Sequence, residues 1–140
     1  MQELTLIHFS LCLLMSGVIW MVQIVHYPSF KFIDEKSFHS FSAFHVKSIS
    51  FIVLPLMLCE LATATLLTIK QPDMAFIINL VLLIFIWMIT FFISMPLHKK
   101  LGSKRDDQCI DKLILSNWAR TVFWTARSIL LFVIIISKME

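Results

Sequence analysis

The chain has little of what builds loops and little charge. Its 140 residues include 2 glycines, 4 prolines and 1 tyrosine, and 15% are Asp, Glu, Lys or Arg. Water-soluble domains carry roughly 25% charged residues, so an ordinary soluble globular fold is excluded. The three cysteines, Cys12, Cys59 and Cys109, are odd in number and lack CxxC spacing. They read as buried or cytosolic thiols, not as a disulfide framework. There is no P-loop, nucleophile elbow, HExxH or glycine-rich nucleotide loop, which removes the common motif-borne chemistries. Neither glycine has a GxxxG partner, so that helix-dimerisation motif is absent too. The opening "MQEL" carries Glu3 and no Lys or Arg, so it lacks the basic start of a removable secretory signal.

The most informative absence is local. No Asp, Glu, Lys or Arg occurs from Leu4 to Phe30, nor from Met74 to His98. Each run exceeds the roughly 20 apolar residues that cross a hydrocarbon layer about 30 Å thick. What is present fits: 59% of residues are hydrophobic and the mean hydropathy is +0.86. Residues 48–69 and 113–137 form two further spans, each interrupted by charge. The expectation is one all-α membrane domain over 1–140, an antiparallel four-helix transmembrane bundle. Its helices fall at about 4–27, 45–69, 74–97 and 113–137, and a Ser103–Asp106 capping box lets the last one start near 104. The first helix is expected to stop before Pro28. The segment "PSFKFIDEKSFHSFSAFHVK" is expected to be a loop with its Phe residues at the lipid interface. Pro55 is expected to kink the second helix.

Lysine and arginine set the orientation. Lys31, Lys36, Lys47, Lys99, Lys100, Lys104, Arg105 and Lys112 fall on the side of the two long connections, and only Lys70 and Lys138 on the other. The positive-inside rule places loops 28–44 and 98–112 in the cytoplasm and both termini outside, in a multi-pass inner (plasma) membrane protein. The net charge of +3 therefore belongs to membrane topology and not to nucleic-acid binding.

Polar residues gather on helix faces. At 100° per residue, Asn117, Arg120, Thr121, Trp124, Arg127 and Ser128 share one sector of the last helix. If Trp118 anchors at the interface, Arg120 snorkels to water, and Arg127 lies near the midplane. A charge there costs from about 3 kcal/mol upward, so it calls for a partner. Glu60 is the only acidic residue within a span and lies at similar depth. An intramembrane Glu60–Arg127 pair is expected, either locking helix order or serving a site. The first helix adds His8, Cys12, Gln23 and His26, with Ser16 and Tyr27 at the border of that face. The second adds His45, Ser48, Cys59 and Thr63, and the third Asn79, Thr90, Ser94 and His98. Gln23, His26, His45, His98 and Arg120 converge on the cytoplasmic end, with His8 at the opposite end. His26, His45 and His98 have no HxxxH-type spacing, so interfacial hydrogen bonding is favoured over a metal or haem, and no cofactor is assigned. His39 reads as a loop residue, and Trp20, Trp87 and the methionines as packing.

At "VQIVHYPSF…FHV", "PLMLCELATA", "MPLHKKL" and "NWARTVFWTARS" the chain resembles a family of small four-helix bacterial membrane proteins of unassigned function. The sharpest feature is PLH followed by NWxRTxxWTxR. More distantly it resembles the anthrone-oxygenase-like family, which carries Pro-Leu-Asn where this chain has His98. The resemblance implies the bundle and a bacterial membrane.

The leading expectation is a protein that binds a hydrophobic or amphipathic small molecule in a cytoplasm-facing polar pocket, with an oxidative enzyme as one form. Candidate catalytic residues are His26, His45 and His98 as proton carriers and Arg120, with Arg127, holding an anionic or enolate oxygen. Candidate binding residues are Gln23, Tyr27, Asn117, Trp118 and Trp124. The alternative, from a different class, is a non-enzymatic transporter or assembly subunit in which the Glu60–Arg127 pair is structural. Transport through so small a chain calls for a homo-oligomer.

Overall fold

A computed structural model describes residues 2–137. It holds four helices long and apolar enough to cross a membrane: α1 (Gln2–Phe32), α2 (Glu35–Lys70), α3 (Met74–Ser103) and α4 (Asp107–Ser137). No strand occurs among the described residues. Successive helices pack on each other and α4 also packs on α1, closing a ring in chain order.

Three short breaks separate the helices, and an acidic cap explains the start that follows each of them. Asp34 accepts the Ser37 N–H at 2.7 Å and starts α2 at Glu35. Asp73 accepts the Ala75 N–H at 3.2 Å and starts α3. The start of α4 differs from the Ser103 cap read from the sequence. Asp106 caps it instead, taking the Cys109 N–H at 3.1 Å, while the Ser103 hydroxyl donates back to Lys99 O. Both Asp34 and Asp106 lie outside the spans, and both carboxyls are held below the ordinary range. For Asp34 the main cause is the Ser37 backbone N–H; for Asp106 it is the hydrogen bond from Lys100, then the Cys109 N–H.

Two larger differences concern the segment expected to be a loop. α2 begins ten residues earlier than expected, at Glu35, because the Asp34 cap is followed by an inward stripe of Phe38, Ser42 and His45. Phe30 and Phe38 are accordingly buried, whereas Phe32 and Phe44 are exposed. α1 does not stop before Pro28. Its Val22–His26 segment is a π-turn in which the Tyr27 N–H reaches back to Val22 O, and helix resumes through Pro28. α3 repeats the device: Thr90–Ser94 is a π-turn, the Met95 N–H reaches Thr90 O, and helix resumes through Pro96. A proline lacks the N–H for the regular ladder, and its ring crowds the carbonyl four residues back. A widened turn placed two residues earlier accommodates both defects.

The outer surface is apolar over much of the helices' length, with Leu13, Leu14, Phe51, Phe85, Phe92 and Phe132 among the exposed side chains. The interior carries two apolar clusters, one around Met15, Met57, Ile86 and Trp124 and one around Phe30, Phe38, Ile110 and Leu113. Between and within them lie the polar groups.

Candidate functional site

The six polar residues of the α4 sector, Asn117, Arg120, Thr121, Trp124, Arg127 and Ser128, are all buried. They serve two separate constellations.

The deeper one is closed on itself. Arg127 Nη1 donates to Glu60 Oε1 at 3.0 Å, and the Trp124 indole N–H donates to Glu60 Oε2, also at 3.0 Å. Arg127 Nε and Nη2 donate to Asn79 Oδ1 at 3.4 and 3.3 Å. His8 Nε2 meets the same Asn79 oxygen at 3.0 Å, and His8 Nδ1 meets the Thr63 hydroxyl at 2.7 Å. All four helices are thereby tied together, and both carboxylate oxygens are occupied. His8, read from the sequence as belonging to the opposite end from the site, joins Arg127 here through Asn79. Cys59, read as part of the inward face, is instead exposed. Met57, Glu60, Ala64 and Leu67 form the buried stripe of α2, and Cys59 is turned about 100° from Glu60.

The second constellation lies around the two π-turns, which bring His26, Tyr27 and His98 to one level. His26 Nε2 and His45 Nδ1 share a hydrogen bond at 2.5 Å. Tyr27 Oη and His98 Nε2 share one at 3.0 Å, and the His45 and His98 rings stand 5.1 Å apart. On the α4 side Asn117 Nδ2 donates to Gln23 Oε1 at 2.8 Å, and Arg120 Nη1 donates to Asn117 Oδ1 at 3.2 Å. Arg120 also lies over the Trp124 ring, 5.3 Å from its centroid. Arg120 does not snorkel: it is 5% exposed and turned inward. Gln23 and Asn117 hold the guanidinium from behind, with the Gln23 amide donating to Ile114 O. Trp118, expected from the sequence to be a binding residue, stands on the outer surface edge-on to Trp20 and takes no part.

In front of Arg120 is a cavity of about 800 Å³, within the usual size range of small-molecule sites. α1, α2 and α3 form most of its wall, and Arg120 is the α4 residue that reaches it. α2 packs on the Met74–Ile89 and Met95–Ser103 parts of α3, and the Thr90–Ser94 turn between them packs on α4. Several lining residues, Val46, Phe91 and Met95, are exposed on the outer face.

The wall is mostly apolar, yet five of its residues carry a buried polar atom without a hydrogen-bond partner: Ser42 Oγ, Ser94 Oγ, Trp87 Nε1, His98 Nδ1 and Arg120 Nε. Buried polar atoms normally find partners. Of the polar residues read from the sequence, Tyr27, Thr90, Ser94, His98 and Arg120 line the cavity. His26, His45, Gln23, Asn117 and Trp124 form the layer behind it. Ser42, Lys47, Trp87 and Lys99 line it without having stood out in the sequence as site residues. Ser42 was hidden because its segment read as loop, although it sits one turn before His45. Among the described residues, no three His, Cys, Asp or Glu side chains are placed to hold a metal ion together.

Comparisons of the chain with protein-family models, with curated proteins and with solved structures find no match.

Proposed function

We propose that the chain is an antiparallel four-helix bundle of a bacterial inner membrane, and that its cavity receives a hydrophobic or amphipathic small molecule. The observation that carries this reading is that Ser42, Ser94, His98 and Arg120, each with a buried polar atom lacking a partner, all line one largely apolar cavity. Four span-length helices, short connections and an apolar outer surface support the membrane bundle. The lysine and arginine asymmetry supports a cavity mouth toward the cytoplasmic side. The likeness to the small bacterial four-helix family belongs to the same proposal.

The site also suits proton transfer on what it binds. Arg120 would hold a developing oxyanion, and His98, hydrogen-bonded to Tyr27, would exchange the proton with it. Oxidative chemistry is the enzymatic form of this reading.

The test is extraction of the detergent-purified protein with organic solvent, followed by mass spectrometry, with an absorption spectrum of the same sample. A small amphipath should co-purify with the native chain and be lost from Val53→Trp, which fills the cavity wall. Identical extracts from the two proteins would defeat the reading. The closed Glu60–Arg127 network favours a structural role for that pair, as an assembly subunit requires. A stoichiometric partner protein co-purifying in place of a small molecule would favour that alternative.

A further inference from the structure

We propose that the occupant of the cavity is a single-chain amphipath with an anionic oxygen headgroup, a carboxylate or a phosphate, seated on Arg120. This rests on the proposed small-molecule role of the cavity and names the class of molecule.

The two buried arginines of α4 differ in one respect. Arg127 has Glu60 at 3.0 Å, whereas Arg120 has no carboxylate beside it. Among the described residues, ion pairs engage Asp111, Asp106, Asp107 and Glu60 with Lys31, Lys100, Arg105 and Arg127 in turn. Glu60, the buried carboxylate among the described residues, is thus committed elsewhere. A sequestered guanidinium without a counter-ion is costly, and an anion delivered by a ligand offsets that cost.

The cavity lining has a single sign of charge. Lys47, Lys99 and Arg120 line it, and among the described residues no Asp or Glu does. Lys47 and Lys99 are exposed and Arg120 is buried, so positive charge runs from the rim to the interior. Ser42, Ser94 and His98, whose Oγ, Oγ and Nδ1 atoms make no hydrogen bond within the protein, belong to the same wall. The rest of the wall, including Val18, Val22, Ile49, Val53 and Met57, suits an alkyl chain. Val46, Phe91 and Met95 of the lining are themselves exposed apolar side chains, so the apolar wall continues to the surface of the bundle. A volume of about 800 Å³ matches one small ligand.

Trp87 lines the cavity with its indole nitrogen free, which provides a reporter. The full chain in non-ionic detergent is titrated with hexadecanoate brominated on its chain, with the equally brominated, uncharged hexadecanol, and with a brominated single-chain lysophosphatidate. Bromine quenches tryptophan on contact, and Trp87→Phe should remove most of the quenchable emission. Both anions should bind at least roughly tenfold more tightly than the alcohol, a factor worth about 1.4 kcal/mol, and the tighter one identifies the headgroup. Arg120→Gln should erase the preference for anions and leave alcohol binding unchanged, while Arg120→Lys should keep part of it. The comparison of anion with alcohol on the native chain stands even if the Gln variant fails to fold. Equal affinity for anion and alcohol overturns this inference and leaves the cavity's small-molecule role intact. A preference that survives Arg120→Gln overturns the role of Arg120. Absence of quenching by all three probes overturns the small-molecule role itself.

Discussion

Arg127 and Glu60 meet at 3.0 Å with neither side chain exposed, and Trp124 adds a hydrogen bond to Glu60 while Asn79 accepts two from Arg127. Arg120, about two helical turns away on the same face of α4, is also buried and has the neutral Asn117 oxygen, the Tyr27 hydroxyl and an aromatic face, but no carboxylate. One arginine is finished by the fold; the other is left facing a cavity.

The first prediction concerns the finished pair. Arg127→Ala should cost about 3–5 kcal/mol, because it leaves the Glu60 carboxylate buried with Trp124 alone. Replacing both Glu60 and Arg127 with Leu should recover much of that loss, since the desolvation cost goes with the attraction. A double-mutant cycle on thermal unfolding in detergent measures the coupling. Additive losses would mean that the two side chains do not support each other.

Asn79 is the second target. Its single side-chain oxygen serves His8 Nε2 and two nitrogens of Arg127. Asn79→Leu is nearly isosteric but removes that acceptor, and each buried donor left unpaired costs about 1–3 kcal/mol. The variant should melt well below the native chain, whereas Phe92→Leu on the exposed face should not. Equal melting temperatures would show that the network adds nothing to stability.

Acid should loosen the start of α4. The Asp106 carboxyl is held below its ordinary range, chiefly by Lys100, so its contribution is present above the unfolded-state value and is lost as pH falls through the depressed folded-state value. Amide protection at Cys109 and Ile110, measured against the intrinsic exchange rate at each pH, should therefore fall between neutral pH and acid, and Asp106→Asn should flatten that dependence. An unchanged profile in the variant would assign the effect to another group.

Topology gives the fourth test. A reporter active only in the periplasm should be dark when fused after Ser103 and active when fused after Glu140. Glu140 and Lys138, which also enters the charge asymmetry, lie outside the described residues. The reverse pattern would move the cavity mouth to the outer face.

The number of long apolar helices and the inward face of α4 were legible in the sequence because each depends on local periodicity. Charge-free runs and a 100° repeat are properties of a single helix, whatever surrounds it. The depth match of Glu60 with Arg127 was legible for a similar reason: helical rise converts sequence distance into height, and there was one acidic residue to choose. Other features depended on neighbours. Pro28 read as a stop, yet the π-turn at Val22–His26 carries α1 through it, placing Tyr27 against His98 across the interior. Arg120 read as a snorkelling residue from its height alone, but its direction is set by Asn117 and Gln23, which pull it inward. The cavity had no sequence signature, because its wall is assembled from α1, α2, α3 and Arg120 of α4, and an empty volume belongs to no single helix. Periodicity along one chain segment determines which side chains can face inward; only the packing of several segments decides which of them find partners and which are left facing space.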